Sequence, residues 1–272
     1  MKTRVITGVV LAVILVPLFV IGGVALNITV LLLAMGASYE LFNMYNKKAD
    51  LPKSLMIIEV LLGGLTYYSI QSYYQGSALE YAFLLIVGLL VIGALFLVFV
   101  EKFSAGNFGE MLVTILYPAI GFGALYALRS IDLYNLGFLF MITIFTDIFA
   151  YAVGVRFGKH RLAVKISPKK SIEGSIGGTV FATIITLVYL QVFNVTHIGV
   201  IEMNLFVSII LIVFISIMGQ IGDLVASKMK RSFEIKDFSN IFPGHGGVMD
   251  RFDSTIFAAM VLMLVSKVVE LI

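Results

Sequence analysis

Cysteine is absent from the 272-residue sequence, and charged residues make up only 13% of it. Without cysteine the chain has no disulfide, no thiolate zinc site and no cysteine nucleophile. Any metal must therefore be held by carboxylates, carbonyl oxygens or histidine, which suit a hard ion such as Mg²⁺. Hydrophobic residues make up 60% of the sequence, well above the usage of soluble domains. This composition indicates a polytopic membrane protein.

Long apolar stretches dominate the sequence. About 20 apolar residues are needed to cross the hydrocarbon core of a bilayer as a helix. Nine stretches approach this length, at residues 5–22, 25–45, 54–74, 80–100, 110–128, 134–156, 172–194, 204–228 and 254–271. The first follows two basic residues, as in a signal peptide, but it is long and no clean cleavage site follows. We expect an all-α fold of about nine transmembrane helices that retains this first helix.

Basic residues are distributed unevenly between the predicted loops. With a cytoplasmic N-terminus, only Arg129 and Lys267 of the 19 Lys and Arg residues would lie on the outer side. Cytoplasmic loops of membrane proteins carry such an excess of basic residues. The pattern therefore predicts a cytoplasmic N-terminus and an external C-terminus.

No repeat, low-complexity tract or linker separates a soluble domain from the rest. We expect a single membrane domain over residues 1–272, with N-terminal scaffold helices in residues 1–130 and the helices and cytoplasmic loops of the site in residues 134–272. Two acids, Glu40 and Glu59, lie deep in the scaffold spans. We expect each to meet a loop end or a polar neighbour rather than to take part in chemistry.

The sixth span contains Asp147 at a depth where an ionisable group is costly and normally faces a bundle interior or a wet cavity. Gly154 and Gly158 follow on the same helical face, and small residues there let another helix approach closely. The alternative to a functional role is an Asp147 carboxylate that is satisfied by a neighbouring hydroxyl such as that of Thr146.

The basic loop after the sixth span ends in Ser167-Pro168-Lys169-Lys170-Ser171. Ser167 before a proline predicts a turn, and Ser171 predicts the cap of the seventh helix. Lys169 and Lys170 would then precede a helix N-terminus, whose free N–H groups also favour anions. The pattern indicates phosphate contact, although part of this positive charge is typical of any cytoplasmic loop.

A polar stretch, SKMKRSFEIKDFSNIFPGHGGVMDRFD, occupies residues 227–253 between two apolar spans. It follows Asp223, an acid that lies within the eighth apolar span. Glycines around His245 allow backbone N–H groups to turn toward an anion, as in a nest. Asp250 and Asp253 lie at the start of the ninth helix, where capping accounts for one of them. Two such acids together with Asp223 predict a metal site next to a phosphate site, because Mg²⁺ is usually held by one or two carboxylates and substrate phosphates.

This stretch resembles the signature of the phosphatidate cytidylyltransferases, also called CDP-diacylglycerol synthases. The resemblance covers Ser227-Lys-Met-Lys-Arg231, then Lys236-Asp237 and then PGHGGVMDRFD at residues 243–253. Asp147 with Ala150 and Tyr151, FGKH at residues 157–160, and SPKKSIEG at residues 167–174 are similar to a second block of that family. Lys169 departs from bacterial relatives, which often have glycine there. Residues 1–130 match only in hydropathy.

The resemblance implies that a phosphate oxygen of phosphatidate attacks the α-phosphorus of CTP, giving CDP-diacylglycerol and pyrophosphate. It implies catalytic Asp147, Asp223, Asp250 and Asp253, of which Asp223 and Asp250 would bind Mg²⁺, with a second cation left open. The implied substrate-binding residues are Ser167, Lys169, Lys170, Ser227, Lys230, Arg231, Lys236, Asp237, His245, Gly246, Gly247 and Arg251. The expected partners are CTP and the membrane lipid phosphatidate, without nucleic acid, and a homodimer is left open. The expected location is a bacterial-type inner membrane with the site toward the cytoplasm.

Two other functions remain open from the residues themselves. A CTP-dependent lipid kinase would use a similar nucleotide site but release CDP. An anion transporter would also keep Asp147 and Asp223 in the membrane. Transporters commonly have paired broken helices in two related halves, whereas the charged residues here concentrate in the second half.

Overall fold

The computed structural model describes residues 2–74 and 79–272. The side chains of residues 2–5 and 79–82 lie outside the described part, including those of Lys2 and Arg4, which enter the orientation argument. Within the described residues the chain forms nine helices. These are α1 (Lys2–Ile21), α2 (Gly23–Ala49), α3 (Lys53–Tyr74), α4 (Leu79–Phe99), α5 (Ala105–Ile131), α6 (Leu133–Phe157), α7 (Ile172–Val192), α8 (Leu205–Ser232) and α9 (Val248–Leu271).

Two antiparallel hairpins of short strands interrupt the helical pattern. β1 (Arg161–Ala163) pairs with β2 (Ser167–Ser171) between α6 and α7. β3 (His197–Ile198) pairs with β4 (Ile201–Glu202) between α7 and α8. The segment expected to be a basic loop with a turn at Ser167 is therefore a hairpin, and the helical fold class holds outside these two connections.

Seven helices of the described part, α2, α3 and α5 to α9, are long and apolar enough to cross a membrane. In α1 and α4 the described apolar stretches, Ile6–Ile21 and Phe83–Phe99, are shorter. Large apolar side chains on these helices are exposed, for example Val13 at 66%, Phe83 at 66% and Val98 at 73%. Helices satisfy their own backbone polar groups, so they can present such side chains to lipid. The protein is a helical, polytopic membrane protein, and the count of nine spans stays a prediction.

The chain divides into two compact units. The first unit comprises Met1–Ala127 and Ser232–Arg251, and the second comprises Leu128–Arg231 and Phe252–Ile272. Residues 232–251, which hold most of the polar stretch, therefore group with the N-terminal helices. The expectation of a single membrane domain stays a prediction.

In the first unit, α2 and α3 pack closely against each other. A Cβ atom on Gly63 would lie only 2.7 Å from the hydroxyl oxygen of Ser38. Further along α3, the Tyr67 hydroxyl donates to Asn27 Oδ1 at 2.8 Å. A core cluster includes Phe42, Leu55, Leu89, Met111 and Ile115. This packing fixes α2, which carries a residue of the candidate site.

In the second unit, α6 and α7 approach through glycines. A Cβ atom on Gly178 would lie 2.6 Å from the carbonyl oxygen of Thr146. A Cβ atom on Gly174 would lie 2.6 Å from the carbonyl oxygen of Ala150. Gly154 of α6 faces Gly174, whose Cα would be 3.6 Å from an added Cβ. The expectation that glycines on the Asp147 face admit another helix is confirmed.

Candidate functional site

The β1–β2 hairpin leads directly into the N-terminus of α7. The buried Ser171 caps this helix, because the N–H of Gly174 donates to its hydroxyl oxygen at 3.1 Å. The carboxylate of Glu173 accepts from the backbone N–H groups of Lys159 at 3.0 Å and His160 at 3.2 Å. It also lies 2.6 Å from His160 Nδ1. The predicted cap is confirmed, and Glu173 ties the end of α6 to the start of α7.

Lys170 lies in β2, one residue before this cap. Its ammonium group forms an ion pair with Asp223 Oδ2 on α8. Both side chains are partly buried, with 28% and 26% of their surface exposed. Ser227, one turn further along α8, donates from its hydroxyl to Asp223 Oδ1 at 3.2 Å. Lys170 and Asp223, both expected site residues, are therefore in direct contact.

Two further carboxylates lie near this ion pair in the second unit. Asp147 on α6 interacts electrostatically with Asp223 and Lys170. Asp253 on α9 interacts electrostatically with Asp223, Asp147 and Lys230. We call these five residues, Asp147, Asp223, Asp253, Lys170 and Lys230, the acid–lysine cluster. It combines three carboxylates with two ammonium groups, so the carboxylates outnumber the cations.

Asp147 does not rely on its neighbouring threonine. The Thr146 hydroxyl lies 2.8 Å from the hydroxyl of Ser216 on α8. The Asp147 carboxylate instead accepts from Ser254 Oγ at 3.4 Å. Asp147 is also an exposed residue. The alternative of a carboxylate satisfied by a neighbouring hydroxyl therefore applies with Ser254 in place of Thr146.

The close approach of α8 and α9 positions two members of the acid–lysine cluster. A Cβ atom on Gly222 would lie 2.9 Å from the carbonyl oxygen of Asp253 and 2.5 Å from Cβ of Phe257. Gly222 directly precedes Asp223. The missing side chain thus lets the backbone of α9 at Asp253 lie against α8 next to the ion pair.

In the first unit, Asp250 organises the loop of residues 233–247, which we call the motif loop. Its Oδ2 accepts from the N–H of Gly247 at 2.9 Å and from the N–H of Phe238 at 2.8 Å. A carboxylate in the first turn that bonds back to the N-cap N–H is half of a capping box. Gly246 has φ +81°, and a Cβ there would lie 2.7 Å from Asp250 Oδ2. The capping role expected for one of the two acids belongs to Asp250.

Glu40 also bonds to this region, which the sequence did not indicate. It is wholly buried on α2, with 0% of its surface exposed. It accepts from the Ser239 hydroxyl at 2.6 Å, from Val248 N–H at 2.8 Å and from Met249 N–H at 2.9 Å. The expectation that Glu40 meets a polar neighbour is confirmed, but that neighbour is the motif loop and the start of α9. The only signal in the sequence was a single acid in an apolar helix.

The other expected substrate-binding residues differ in exposure. Lys169, Arg231, Lys236, Asp237 and Arg251 are exposed, Ser167, Ser227 and His245 are partly buried, and Lys230, Gly246 and Gly247 are buried. Ser167, Lys169, Ser227, Lys230 and Arg231 belong to the second unit, and Lys236, Asp237, His245, Gly246, Gly247 and Arg251 to the first. Their contacts with substrate stay predictions.

The donor atoms present fit a hard divalent cation. Asp147, Asp223 and Asp253 offer carboxylate oxygens within one cluster, and oxygen ligands are what Mg²⁺ prefers. In the part of the chain that the structure describes, no three His, Asp or Glu side chains form a ready-made metal site. Mg²⁺ does not need one, because substrate phosphates commonly complete its coordination. Asp223 and Asp250 belong to different units, so their joint ligation of one ion stays a prediction.

These features define a class of protein: a helical membrane protein whose second unit gathers carboxylates and lysines next to the β1–β2 hairpin. The comparison with known families is more specific than this class: a model of the cytidylyltransferase family matches residues 2–269. The chain belongs to this family. A phosphatidate cytidylyltransferase of Staphylococcus haemolyticus is 34% identical over 266 residues, which cover 96% of this chain and 97% of that protein. Phosphatidate cytidylyltransferases of Staphylococcus epidermidis and Staphylococcus aureus are 34% and 33% identical, with the same coverage.

Proposed function

We propose that this protein is a membrane nucleotidyltransferase that joins CTP and phosphatidate. A phosphate oxygen of phosphatidate forms a bond to the α-phosphorus of CTP, and the bond from that phosphorus to the β-phosphate oxygen breaks. The products are CDP-diacylglycerol and pyrophosphate. The observation that carries the proposal is the match of nearly the whole chain to phosphatidate cytidylyltransferases. The contact of Lys170 with Asp223 inside a carboxylate cluster supports it.

The protein side chains mainly position and neutralise two polyanionic substrates. Nucleotidyl transfer depends largely on positioning and on stabilising negative charge. Lys170, at the N-terminus of α7, exchanges its contact with Asp223 for a substrate phosphate. Lys230 and Arg231, at the end of α8, provide further positive charge. No side chain needs to act as a general base, since the attacking phosphate oxygen is already charged.

Mg²⁺ is the cofactor that we propose for this site. The acid–lysine cluster has more carboxylates than ammonium groups, so bringing phosphates to it requires an added cation. When bound, Mg²⁺ supplies that charge and lowers the repulsion between the two substrates. Asp223 and Asp250 are its proposed ligands, and Asp147 and Asp253 assist or hold a second cation.

We place the site at the cytoplasmic face of a bacterial inner membrane, with the N-terminus in the cytoplasm. The excess of Lys and Arg in alternate loops supports this orientation. The charged motifs flank apolar helices, so CTP arrives from water and phosphatidate arrives sideways from the lipid. A homodimer remains compatible with this arrangement.

The proposal is tested with purified protein in mixed micelles that contain phosphatidate, CTP and Mg²⁺. We expect a CDP-lipid and pyrophosphate in equal amounts, detected by thin-layer chromatography and a pyrophosphate assay. Asp223→Asn serves as the inactive control and Lys102→Ala as the active one. Release of CDP without a nucleotide joined to lipid would instead identify a CTP-dependent lipid kinase.

A further inference from the structure

The N-terminus of α9 lacks the side chain that normally caps a helix. The first N–H groups of a helix have no partner within the helix. A Ser, Thr, Asp or Asn at the N-cap usually accepts from one of them. Here the residue before Val248 is Gly247, which has no side-chain oxygen.

Glu40 of α2 supplies the missing acceptor from more than 200 residues away. Its Oε1 accepts from Val248 N–H at 2.8 Å, and its Oε2 accepts from Met249 N–H at 2.9 Å. Both N–H groups belong to the first turn of α9. A carboxylate also interacts favourably with the positive end of the helix dipole. Glu40 thus does for α9 what a local cap does for other helices.

Gly247 and Glu40 fit each other sterically. A Cβ atom on Gly247 would overlap Oε1 of Glu40 and would lie 2.5 Å from Cδ and 2.6 Å from Oε2. The carboxylate therefore occupies the space that the side chain of a local cap would take. A side chain at position 247 would therefore have to displace the Glu40 carboxylate from its place at the start of α9.

The same carboxylate also fixes the motif loop. Its Oε1 accepts from the Ser239 hydroxyl at 2.6 Å, so one buried group joins residue 239 to residues 248 and 249. Asp250 follows these residues directly and takes the N–H groups of Phe238 and Gly247. Two carboxylates, one remote and one local, thus join the middle of the loop to its C-terminal end and to the start of α9.

We propose that Glu40 is a positioning residue for the transfer reaction. It acts as a remote cap that fixes the start of α9 and, through it, the place of Asp250. It does not itself touch the substrates. The inference rests on the function proposed above, in which Asp250 is a site residue.

A reciprocal pair of substitutions tests the fit of Glu40 and Gly247. Glu40→Ala removes the remote cap, and we expect kcat/KM to fall by on the order of 100-fold, as displaced catalytic groups do. Gly247→Ser alone should also be severely impaired, since its Cβ meets Glu40. In the double variant the space is free and the serine hydroxyl caps α9 itself. We expect the double variant to recover about tenfold in kcat/KM over Glu40→Ala.

Hydrogen exchange gives a readout that does not depend on activity. In Glu40→Gln the amide keeps the shape of the side chain but turns NH₂ toward one N–H donor. Mass spectrometry of peptides that span residues 247–250 should show faster exchange at Val248 and Met249 than in the wild type. Glu59→Gln is the matched control, because Glu59 is a buried acid of the neighbouring helix α3 with 2% exposure. It should leave this exchange unchanged.

Three outcomes would overturn the inference. They are a Glu40→Ala variant with wild-type kcat/KM, a double variant no better than Glu40→Ala, and exchange at residues 248 and 249 that does not change in Glu40→Gln. A wild-type protein that forms no CDP-lipid would end the proposed function and, with it, the catalytic part of this inference. The exchange experiment would still decide whether Glu40 holds the loop, so the two failures are distinguishable.

Discussion

Lys170→Met tests the central ion pair of the acid–lysine cluster. The substitution keeps most of the side-chain volume but removes the ammonium group that contacts Asp223. The carboxylate of Asp223 then faces Asp147 and Asp253 without that counter-charge. We expect a loss of both stability and activity.

The size of the stability loss follows from the exposure of the pair. Removing one partner of a fully buried ion pair costs about 3–5 kcal/mol, whereas an exposed pair contributes about 0–1 kcal/mol. The two side chains are 28% and 26% exposed and therefore lie between these limits. We expect a loss of about 2 kcal/mol, which lowers Tm by roughly 4–8 °C in a domain of this order of size.

The assay is thermal unfolding in detergent, followed by circular dichroism because the chain has no Trp. The matched comparison is the double variant Lys170→Met/Asp223→Asn, which removes both charges. It should melt above Lys170→Met, since the unpaired carboxylate is gone. A Lys170→Met variant that melts like the wild type, or a double variant that melts below it, would refute the electrostatic reasoning. Both variants should lack detectable nucleotidyl transfer.

Three further predictions concern the other acids and a control. Asp223→Asn should abolish CDP-lipid formation while keeping the far-ultraviolet spectrum, and near-normal turnover would remove Asp223 from the proposed metal ligands. Asp250→Asn should also abolish activity. It should lower Tm more than Asp223→Asn does, because the new asparagine can turn its NH₂ group toward two backbone N–H donors. A Tm shift equal to or smaller than that of Asp223→Asn would contradict this. Lys102→Ala should leave activity unchanged, since Lys102 is exposed and pairs with exposed Asp50 at 2.6 Å. Lys102 lowers the pKa of Asp50 through a hydrogen bond and its charge. Any stabilisation from this pair is therefore present above the ordinary Asp pKa and is lost as pH falls through the lowered value. The melting curves of the variant and the wild type should accordingly differ less at pH 3 than at pH 7.

Local signals in the sequence predicted the helices and one cap correctly. The apolar stretches coincide with helices because an apolar segment in lipid must satisfy its backbone hydrogen bonds within itself, which a helix does. Ser171 was predictable as a cap because the acceptor and its donor at Gly174 are three residues apart. Gly154 and Gly158 were readable as a close helix contact for a similar reason, since helical periodicity places them on the same face as Asp147.

Contacts between distant parts of the chain were not predictable in this way. Glu40 and Met249 are 209 positions apart, and neither segment has a sequence pattern that indicates contact with the other. The β1–β2 hairpin was missed because its strands are short and rich in Lys and Arg, without the alternating apolar pattern of a buried strand. Both features depend on which segments come together in the fold, and local patterns in one sequence do not indicate this.

The structure also changes the explanation of the glycines in the motif loop. As a sequence pattern, they suggested backbone N–H groups turned toward a substrate anion. In the first unit the N–H of Gly247 donates to Asp250, and those of Val248 and Met249 donate to Glu40. A phosphate bound at Gly247 would have to displace Asp250 from that donor. The presence of these glycines is therefore explained by packing alone, without a substrate. A Cβ atom at Gly246 would meet Asp250, and one at Gly247 would meet Glu40. The motif loop is then held by two carboxylates, and the contact of lysine and arginine side chains with substrate phosphates stays a prediction.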